Sequence, residues 1–203
     1  MKKISFREAL FVKTAILPKD YPHLRMDNGQ TMPEIAVVGR SNVGKSTLLN
    51  FIFSSRSLVK TSSTPGKTRA INFFVVDKRI CFVDLPGYGF ASAGKLEQKA
   101  WAESIDHYLK ERKELRLFLY LLDIRRAPSK EDLMMLEYIL EKGLPFLLVF
   151  TKVDKLSLSE RDVRTHAILD SLGVDAPYVH TSAMKNEGKK ELSFLILESL
   201  GLE

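Results

Sequence analysis

The run GRSNVGKS at residues 39–46 constrains this chain more than any other segment. It follows the apolar stretch EIAVV and precedes STLLNFI, so a predicted strand, a glycine-rich loop and a predicted helix succeed one another. Gly39 and Gly44 allow the backbone to turn its N–H groups inward around phosphate oxygens. Lys45 would then bring a point charge to the β- and γ-phosphates, and Ser46 a hydroxyl to Mg²⁺. Residues 39–46 therefore predict a phosphate-binding loop, hereafter the phosphate loop.

The remainder of the chain alternates between apolar runs of strand length and helical patterns. Buried strands are predicted at 34–39, 115–123 and 145–150, and a hairpin at 71–84 that turns at Asp77 and Lys78. Apolar residues recur at helical spacing in KSTLLNFIFSS, KLEQKAWAESIDHYLKER and SKEDLMMLEYILEKG. This order predicts an α/β fold of the P-loop NTPase type: a doubly wound, mostly parallel sheet with one antiparallel strand and helices on both faces. Ligands are expected at the carboxyl ends of the strands.

The length of 203 residues favours a single domain spanning residues 1–203. Residues 1–32 precede the alternating pattern and form an N-terminal extension, in which FREALFVKTA is predicted to add an edge strand. Cys81 is the only cysteine, which excludes a disulfide within the chain and suits a reducing compartment. No apolar run approaches the roughly 18 residues of a membrane span. We therefore expect a cytoplasmic monomer with no membrane partner.

Two further segments are expected to surround a γ-phosphate. Asp84 ends the apolar run RICFVD, where a carboxylate can hold Mg²⁺ through a water, and Gly87 can offer its N–H to the phosphate. The polar segment TSSTPGKTRAINFF at 61–74 is interpreted as a loop that closes over the γ-phosphate. Its Thr68 is the natural second hydroxyl for Mg²⁺.

The segment TKVD at residues 151–154 follows the strand PFLLVF and indicates which base is read. Asp154 can accept from the ring N–H and the amino group of guanine together, while the stem of Lys152 covers the base. Adenine lacks both donors in that arrangement, so the pattern favours GTP over ATP. The segment TSA at 181–183 follows the strand APYVH and would place a backbone N–H against the guanine oxygen.

Taken together, GRSNVGKS, TPGKTR, DLPGYGFA, TKVD and TSA resemble the EngB family of bacterial GTPases, within the TrmE-Era-EngA-EngB-Septin-like superfamily. The resemblance extends over nearly the whole chain. It implies an Mg²⁺-dependent GTPase that binds GTP and GDP, assists assembly of the large ribosomal subunit, and is associated with normal cell division and septation. Thr151 in place of asparagine and an aromatic residue after DLPG depart from Ras-like proteins and are normal for EngB.

The resemblance also implies site residues. The catalytic residues are Lys45 and Thr68, and the magnesium ligands are Ser46 and Thr68. The nucleotide contacts are Gly39, Arg40, Ser41, Asn42, Val43, Gly44, Lys45, Ser46, Gly66, Lys67, Thr68, Arg69, Ala70, Asp84, Leu85, Pro86, Gly87, Thr151, Lys152, Val153, Asp154, Thr181, Ser182 and Ala183.

Tyr88 occupies the position after DLPG where many small G proteins carry a glutamine that orients the attacking water. A tyrosine lacks the paired donor and acceptor of an amide at that reach. We therefore expect slow intrinsic hydrolysis, on the order of 10⁻⁴–10⁻³ s⁻¹ as for an unassisted G protein. Asn42 resembles the asparagine with which some related GTPases hold K⁺ beside the phosphates, so K⁺ or a ribosomal partner could raise the rate.

Two other functions remain open from the residues alone. The net charge of +6 is compatible with a ribosomal RNA partner but is only a mild excess, so a GTP-dependent switch that binds a protein partner without RNA contact is the main alternative. An ATP-using phosphotransferase is disfavoured by Asp154.

Overall fold

The computed structural model of the chain describes the backbone of residues 4–60, 70–89 and 95–202, and the side chains of all of these except residues 95–101. Within these ranges seven strands form one sheet. The strands are β1 (Ala9–Ala15), β2 (Glu34–Gly39), β3 (Ile71–Val76), β4 (Ile80–Asp84), β5 (Leu115–Asp123), β6 (Phe146–Thr151) and β7 (Tyr178–His180).

The strands lie in the order β1-β3-β4-β2-β5-β6-β7. β2 pairs in parallel with both β4 and β5, and β5, β6 and β7 continue the parallel arrangement. β3 runs antiparallel to both of its neighbours, β1 and β4. The predicted sheet, mostly parallel with one antiparallel strand, is therefore confirmed. The chain winds to one side of β2 and then to the other, so the carboxyl end of β2 lies at the topological switch point where such folds bind ligands.

Five α-helices cover the sheet in the described ranges. They are α1 (Lys45–Ile52), α2 (Lys95–Glu111), α3 (Lys130–Glu141), α4 (Leu158–Leu172) and α5 (Lys189–Leu200). The buried side chains of α2, α3 and α4 pack in one apolar core, and those of α1 and α5 in a second. Alternate residues of β2 enter the two cores, with Ala36 in the first and Val37 in the second. The predicted helices on both faces are thus confirmed.

The sequence analysis assigned neither α4 nor α5. α4 buries only Thr165, Ile168 and Leu172, so its apolar stripe is too thin to stand out by periodicity. The ends of α4 nevertheless carry recognisable signals. Ser157 and Glu160 form a capping box at its start, and Gly173, with φ 65°, ends it. No helix among the described residues is both long and apolar enough to cross a membrane.

The predicted hairpin turn between β3 and β4 also fixes the N-terminal segment. Asp77 and Lys78 have φ values of 49° and 55°, as a two-residue type I′ turn requires. The Asp77 carboxylate accepts hydrogen bonds from the backbone N–H groups of Ser5 at 2.6 Å, Phe6 at 2.9 Å and Glu8 at 3.2 Å. These bonds hold the chain immediately before β1, which lies at the edge of the sheet beside β3.

A buried ion pair joins the amino end of β2 to the last turn of α2. The Glu34 carboxylate accepts from the Arg112 guanidinium and, at 2.9 Å, from the Tyr108 hydroxyl. Arg112 also donates to the Pro22 carbonyl at 2.9 Å, and its guanidinium lies 5.7 Å from the centre of the Tyr21 ring. The side chains of Glu34 and Arg112 are only 1% and 4% exposed, so each charge depends on the other.

Replacing Arg112 with methionine should lower the free energy of unfolding by about 3–5 kcal/mol, because Glu34 would be left buried and unpaired. Urea denaturation measures this loss. Lys110→Met is the matched control, since it breaks the exposed pair between Lys110 and Asp106 on the same helix and should cause no measurable change. Equal midpoints for wild type and Arg112→Met would contradict the structural role of the pair.

Candidate nucleotide-binding site

The phosphate loop connects the end of β2 to the start of α1, as predicted. A Cβ atom on Gly39 would lie 2.9 Å from both the Leu121 carbonyl oxygen and the Val43 Cγ1, so no larger residue fits there. Gly44 has φ 112°, a conformation that residues with side chains rarely adopt, and it directly precedes Lys45 at the start of α1. The two glycines are therefore required by close approach at Gly39 and by backbone conformation at Gly44.

Asp84 and Lys45 face one another beneath this loop. Burial raises the pKa of Asp84, and the Lys45 charge opposes that shift. Burial likewise lowers the pKa of Lys45, and Asp84 opposes it. The Asp84 Oδ1 atom is buried and has no hydrogen-bond partner among the described residues. A buried carboxylate oxygen with free lone pairs costs free energy unless a donor or a cation reaches it, so this site fits a hydrated Mg²⁺.

The structure brings only part of the predicted phosphate and magnesium residues together. Ser46 stands in the first turn of α1, next to Lys45, and Gly87 lies over the phosphate loop. Ala70 immediately precedes β3. Gly66, Lys67, Thr68 and Arg69 lie outside the described residues, so the second magnesium hydroxyl stays a prediction.

Residues 151–154, hereafter the base loop, are bonded directly to the phosphate loop. The Thr151 hydroxyl donates to the Val43 carbonyl at 2.8 Å and lies 3.2 Å from the Leu122 carbonyl oxygen. The Lys152 ammonium donates to the Asn42 carbonyl at 2.7 Å. Thr151 thus uses its hydroxyl as a structural donor at the position where Ras-like proteins have asparagine.

Asp154 lies beside the TSA segment. The Ser182 hydroxyl donates to Asp154 Oδ1 at 2.7 Å, and the Lys155 ammonium lies 3.1 Å from Asp154 Oδ2. The hydrogen bond from Ser182 lowers the pKa of Asp154, with Lys155 adding to the shift. The carboxylate is therefore ionised at neutral pH, as an acceptor for two base donors must be. Thr181, at the end of β7, donates its N–H to the Phe150 carbonyl at 2.8 Å, which sets TSA next to the base loop.

The sequence analysis missed two residues that hold the base loop in place. Asp123 ends β5 and accepts from Arg125 and Lys152. Burial alone would raise its pKa, but the bonds from Arg125 and then Lys152 outweigh it and bring the pKa to about 2. Asp123 could have been found, because it ends a predicted buried strand as Asp84 does. Arg161 on α4 donates to the Val153 carbonyl at 3.0 Å and pairs with Glu187; no sequence pattern marked it.

Tyr88 is a buried anchor in this structure. Its side chain is 4% exposed, and its hydroxyl donates to Asp132 Oδ1 on α3 at 2.7 Å. The Tyr120 hydroxyl lies 3.3 Å away and donates to the Asp132 carbonyl at 2.8 Å. Burial, followed by the neighbouring Tyr120 and Asp132, raises the pKa of Tyr88, so the hydroxyl stays protonated as a donor. A hydroxyl bonded in this way does not orient a water at the phosphates.

Comparison with known proteins identifies the family. Residues 34–152 match the family described as "50S ribosome-binding GTPase". A "Probable GTP-binding protein EngB" of Protochlamydia amoebophila (strain UWE25) is 48% identical over 97% of this chain and 96% of its own length. The chain belongs to the EngB family. An EngB of the same description from Fusobacterium nucleatum subsp. nucleatum is 41% identical over 97% of this chain and 99% of its own.

Solved structures share the fold. A crystal structure of a probable GTP-binding protein EngB superimposes with a TM-score of 0.70 at 22% identity, covering 84% of this chain and all of that one. The apo elongation factor SelB of Methanococcus maripaludis gives 0.61 at 18% identity over 89% of this chain and 34% of SelB. The predicted resemblance to EngB and the predicted P-loop GTPase fold are both confirmed, and the chain is a member of a GTP-binding GTPase family.

Proposed function

We propose that this EngB protein is a GTP-dependent switch whose single domain, residues 1–203, binds GTP and hydrolyses it slowly to GDP and phosphate. The bonding of Thr151 and Lys152 to the carbonyls of the phosphate loop is the observation that carries this proposal. It sets the predicted base subsite at a constant distance from the predicted phosphate subsite, so one nucleotide can occupy both. The proposed nucleotide contacts are residues 39–46, 66–70, 84–87, 151–154 and 181–183.

Guanine recognition is assigned to Asp154. Its carboxylate is ionised; Ser182 donates to one oxygen and Lys155 lies beside the other, and each oxygen can accept a further bond. The guanine ring N–H and amino group present two donors in the arrangement that a carboxylate accepts. The neighbouring N–H groups of the TSA segment, 181–183, would meet the guanine oxygen.

Asp154→Asn should weaken GTP binding by several kcal/mol, because two hydrogen bonds to a charged acceptor are worth about 1.5–3 kcal/mol each. The variant should bind xanthosine triphosphate relatively better, since xanthine carries a carbonyl where guanine has an amino group. Titration calorimetry with both nucleotides measures the change. Asp170→Asn, an exposed carboxylate on α4, is the control. An unaltered GTP affinity in Asp154→Asn would show that this residue does not recognise guanine.

Ion binding at the phosphates is assigned to Ser46, Thr68 and Asp84 for Mg²⁺ and to Asn42 for K⁺. The buried Asp84 Oδ1 without a partner among the described residues supports a cation beside it. Bound Mg²⁺ would neutralise charge on the phosphates during transfer. Lys45 would add its own charge, and the Gly87 N–H would bind the γ-phosphate. Tyr88 is bonded to Asp132, so no glutamine side chain orients a water from the position after DLPG, which supports slow intrinsic turnover.

Two variants should distinguish the proposed K⁺ site from the proposed Mg²⁺ site. Asn42→Ala should abolish the stimulation of hydrolysis by K⁺ over Na⁺ while the Mg²⁺ concentration giving half-maximal rate stays unchanged. Ser46→Ala should raise that Mg²⁺ concentration, because a hydroxyl ligand is lost. Phosphate release in KCl and NaCl across a Mg²⁺ titration measures both. A K⁺ response that persists in Asn42→Ala would exclude Asn42 as the potassium site.

The proposed partner is the large ribosomal subunit or its precursor, with action in its assembly in the cytoplasm and, through it, in cell division and septation. The match of residues 34–152 to a family described as ribosome-binding supports this partner, and so does the net charge of +6. We further propose that the protein acts as a monomer.

Co-sedimentation with large-subunit particles should be strongest with a non-hydrolysable GTP analogue and weaker with GDP, because only the γ-phosphate biases a switch. It should also fall steeply between about 50 and 200 mM salt, as phosphate contacts release counterions. Depleting the protein from cells should accumulate large-subunit precursors before septation fails. Binding that depends neither on the salt concentration nor on the bound nucleotide would instead favour a protein partner without RNA contact.

A further inference from the structure

Residues Gly87–Gly89, hereafter the switch segment, lie directly on the phosphate loop. The Ser41 N–H donates to the Tyr88 carbonyl at 2.8 Å, and Arg40 and Tyr88 form a parallel β-bridge. A Cβ atom on Gly87 would lie 2.8 Å from the Lys45 Nζ and 3.0 Å from the Ser41 nitrogen. The switch segment therefore fills the space next to the Lys45 ammonium.

The Tyr88 hydroxyl fastens this segment to a rigid helix. Its acceptor, Asp132, is 2% exposed, and the second oxygen of that carboxylate accepts from the Ser129 N–H at 2.7 Å and hydroxyl at 2.8 Å. The bond from the Ser129 N–H belongs to the capping box of α3, so Asp132 is tied to the start of that helix and not to the switch segment. Gly89 and Asp132 both border a cavity of about 370 Å³ between the phosphate loop and α3.

GTP and GDP need different amounts of space next to the switch segment. A γ-phosphate must fit between the Lys45 ammonium and the Gly87 N–H, and Gly87 lies so near that ammonium that even a Cβ atom on it would be only 2.8 Å away. GDP has no γ-phosphate and leaves the contact between Ser41 and Tyr88 intact. Binding of GTP therefore requires the switch segment to be displaced, and binding of GDP does not.

We propose that the Tyr88 hydroxyl disfavours binding of GTP relative to GDP by holding the switch segment closed on the phosphate loop through Asp132. This inference rests on the proposed function, since it concerns the nucleotide site described above. Tyr88 is a positioning residue: its side chain acts through Gly87 and Ser41 and touches α3 rather than the nucleotide site.

The expected effect follows from the strength of one hydrogen bond. A hydrogen bond from a buried hydroxyl to a carboxyl group, once lost, shifts the closed and open populations by about tenfold. This shift changes the measured affinity of a ligand only if that ligand binds the closed and open forms with different affinities. Removing the hydroxyl should therefore strengthen GTP binding by about tenfold and change GDP binding little.

Tyr88→Phe tests this directly, because it keeps the buried ring and removes only the donor. The measurement is the ratio of the dissociation constant for a non-hydrolysable GTP analogue to that for GDP, which should fall about tenfold. Tyr120→Phe is the matched control. It removes a hydroxyl from the same cluster, one that donates to the Asp132 carbonyl, and leaves the bond between Tyr88 and Asp132 in place, so its ratio should remain that of the wild type.

A second measurement needs no nucleotide. The Ser41 amide is protected by the Tyr88 carbonyl, so its hydrogen exchange should be faster in Tyr88→Phe than in wild type or Tyr120→Phe. An unchanged or increased ratio of dissociation constants in a folded Tyr88→Phe protein, or unchanged Ser41 exchange, would overturn the inference. Failure of the wild type to bind either nucleotide would instead overturn the proposed function, and the exchange experiment would still decide the role of Tyr88.

Discussion

The carbonyl groups of the phosphate loop must find donors, and the rest of the site is arranged around this requirement. A loop that turns its N–H groups inward toward phosphate turns its carbonyls the other way, and for a buried residue such as Val43 a carbonyl without a donor is costly. Thr151 supplies a hydroxyl to the Val43 carbonyl, and Lys152 supplies an ammonium to the Asn42 carbonyl. Because both donors come from the end of β6, the base loop is placed by the same bonds that stabilise the phosphate loop.

Each charged side chain around these bonds is paired with one of opposite charge. Asp123 neutralises the Lys152 ammonium, which lies 3.0 Å from its Oδ2, and Arg125 in turn pairs with Asp123. Arg161 approaches from α4, donates to the Val153 carbonyl and pairs with Glu187 near the TSA segment. Charged groups at the end of β5, on α4 and near the TSA segment thus converge on one short loop. Such a network fixes the base loop that carries Asp154.

β2 receives fixed contacts at both of its ends. At the amino end, the Glu34 carboxylate holds the last turn of α2 through Tyr108, and the residue after that helix through Arg112. Beyond the carboxyl end, Ser41 is paired with the switch segment through the Tyr88 carbonyl. The ion pair is almost completely buried, whereas the contact between Ser41 and Tyr88 is one backbone hydrogen bond reinforced by one hydroxyl. A change in the nucleotide site would therefore move the switch segment more readily than the far end of α2.

The sequence by itself determined the phosphate loop, the order of the strands with the first three α-helices, the hairpin turn at Asp77 and Lys78, and the candidate ligands at the strand ends. These features depend on local residue patterns, since two glycines, a lysine and an apolar period can each be read within a short segment. α4 escaped because its buried stripe is thin, although its caps were visible. Only the tertiary structure decided the contacts between distant residues. Thr151 and Val43 are 108 positions apart, Arg112 and Glu34 are 78, and Tyr88 and Asp132 are 44. Composition and spacing do not specify such pairs, because each depends on how the sheet brings separate strand ends together. From the sequence, Tyr88 was notable only because it replaces a glutamine found in many small G proteins. The fold shows that its hydroxyl holds the segment to α3.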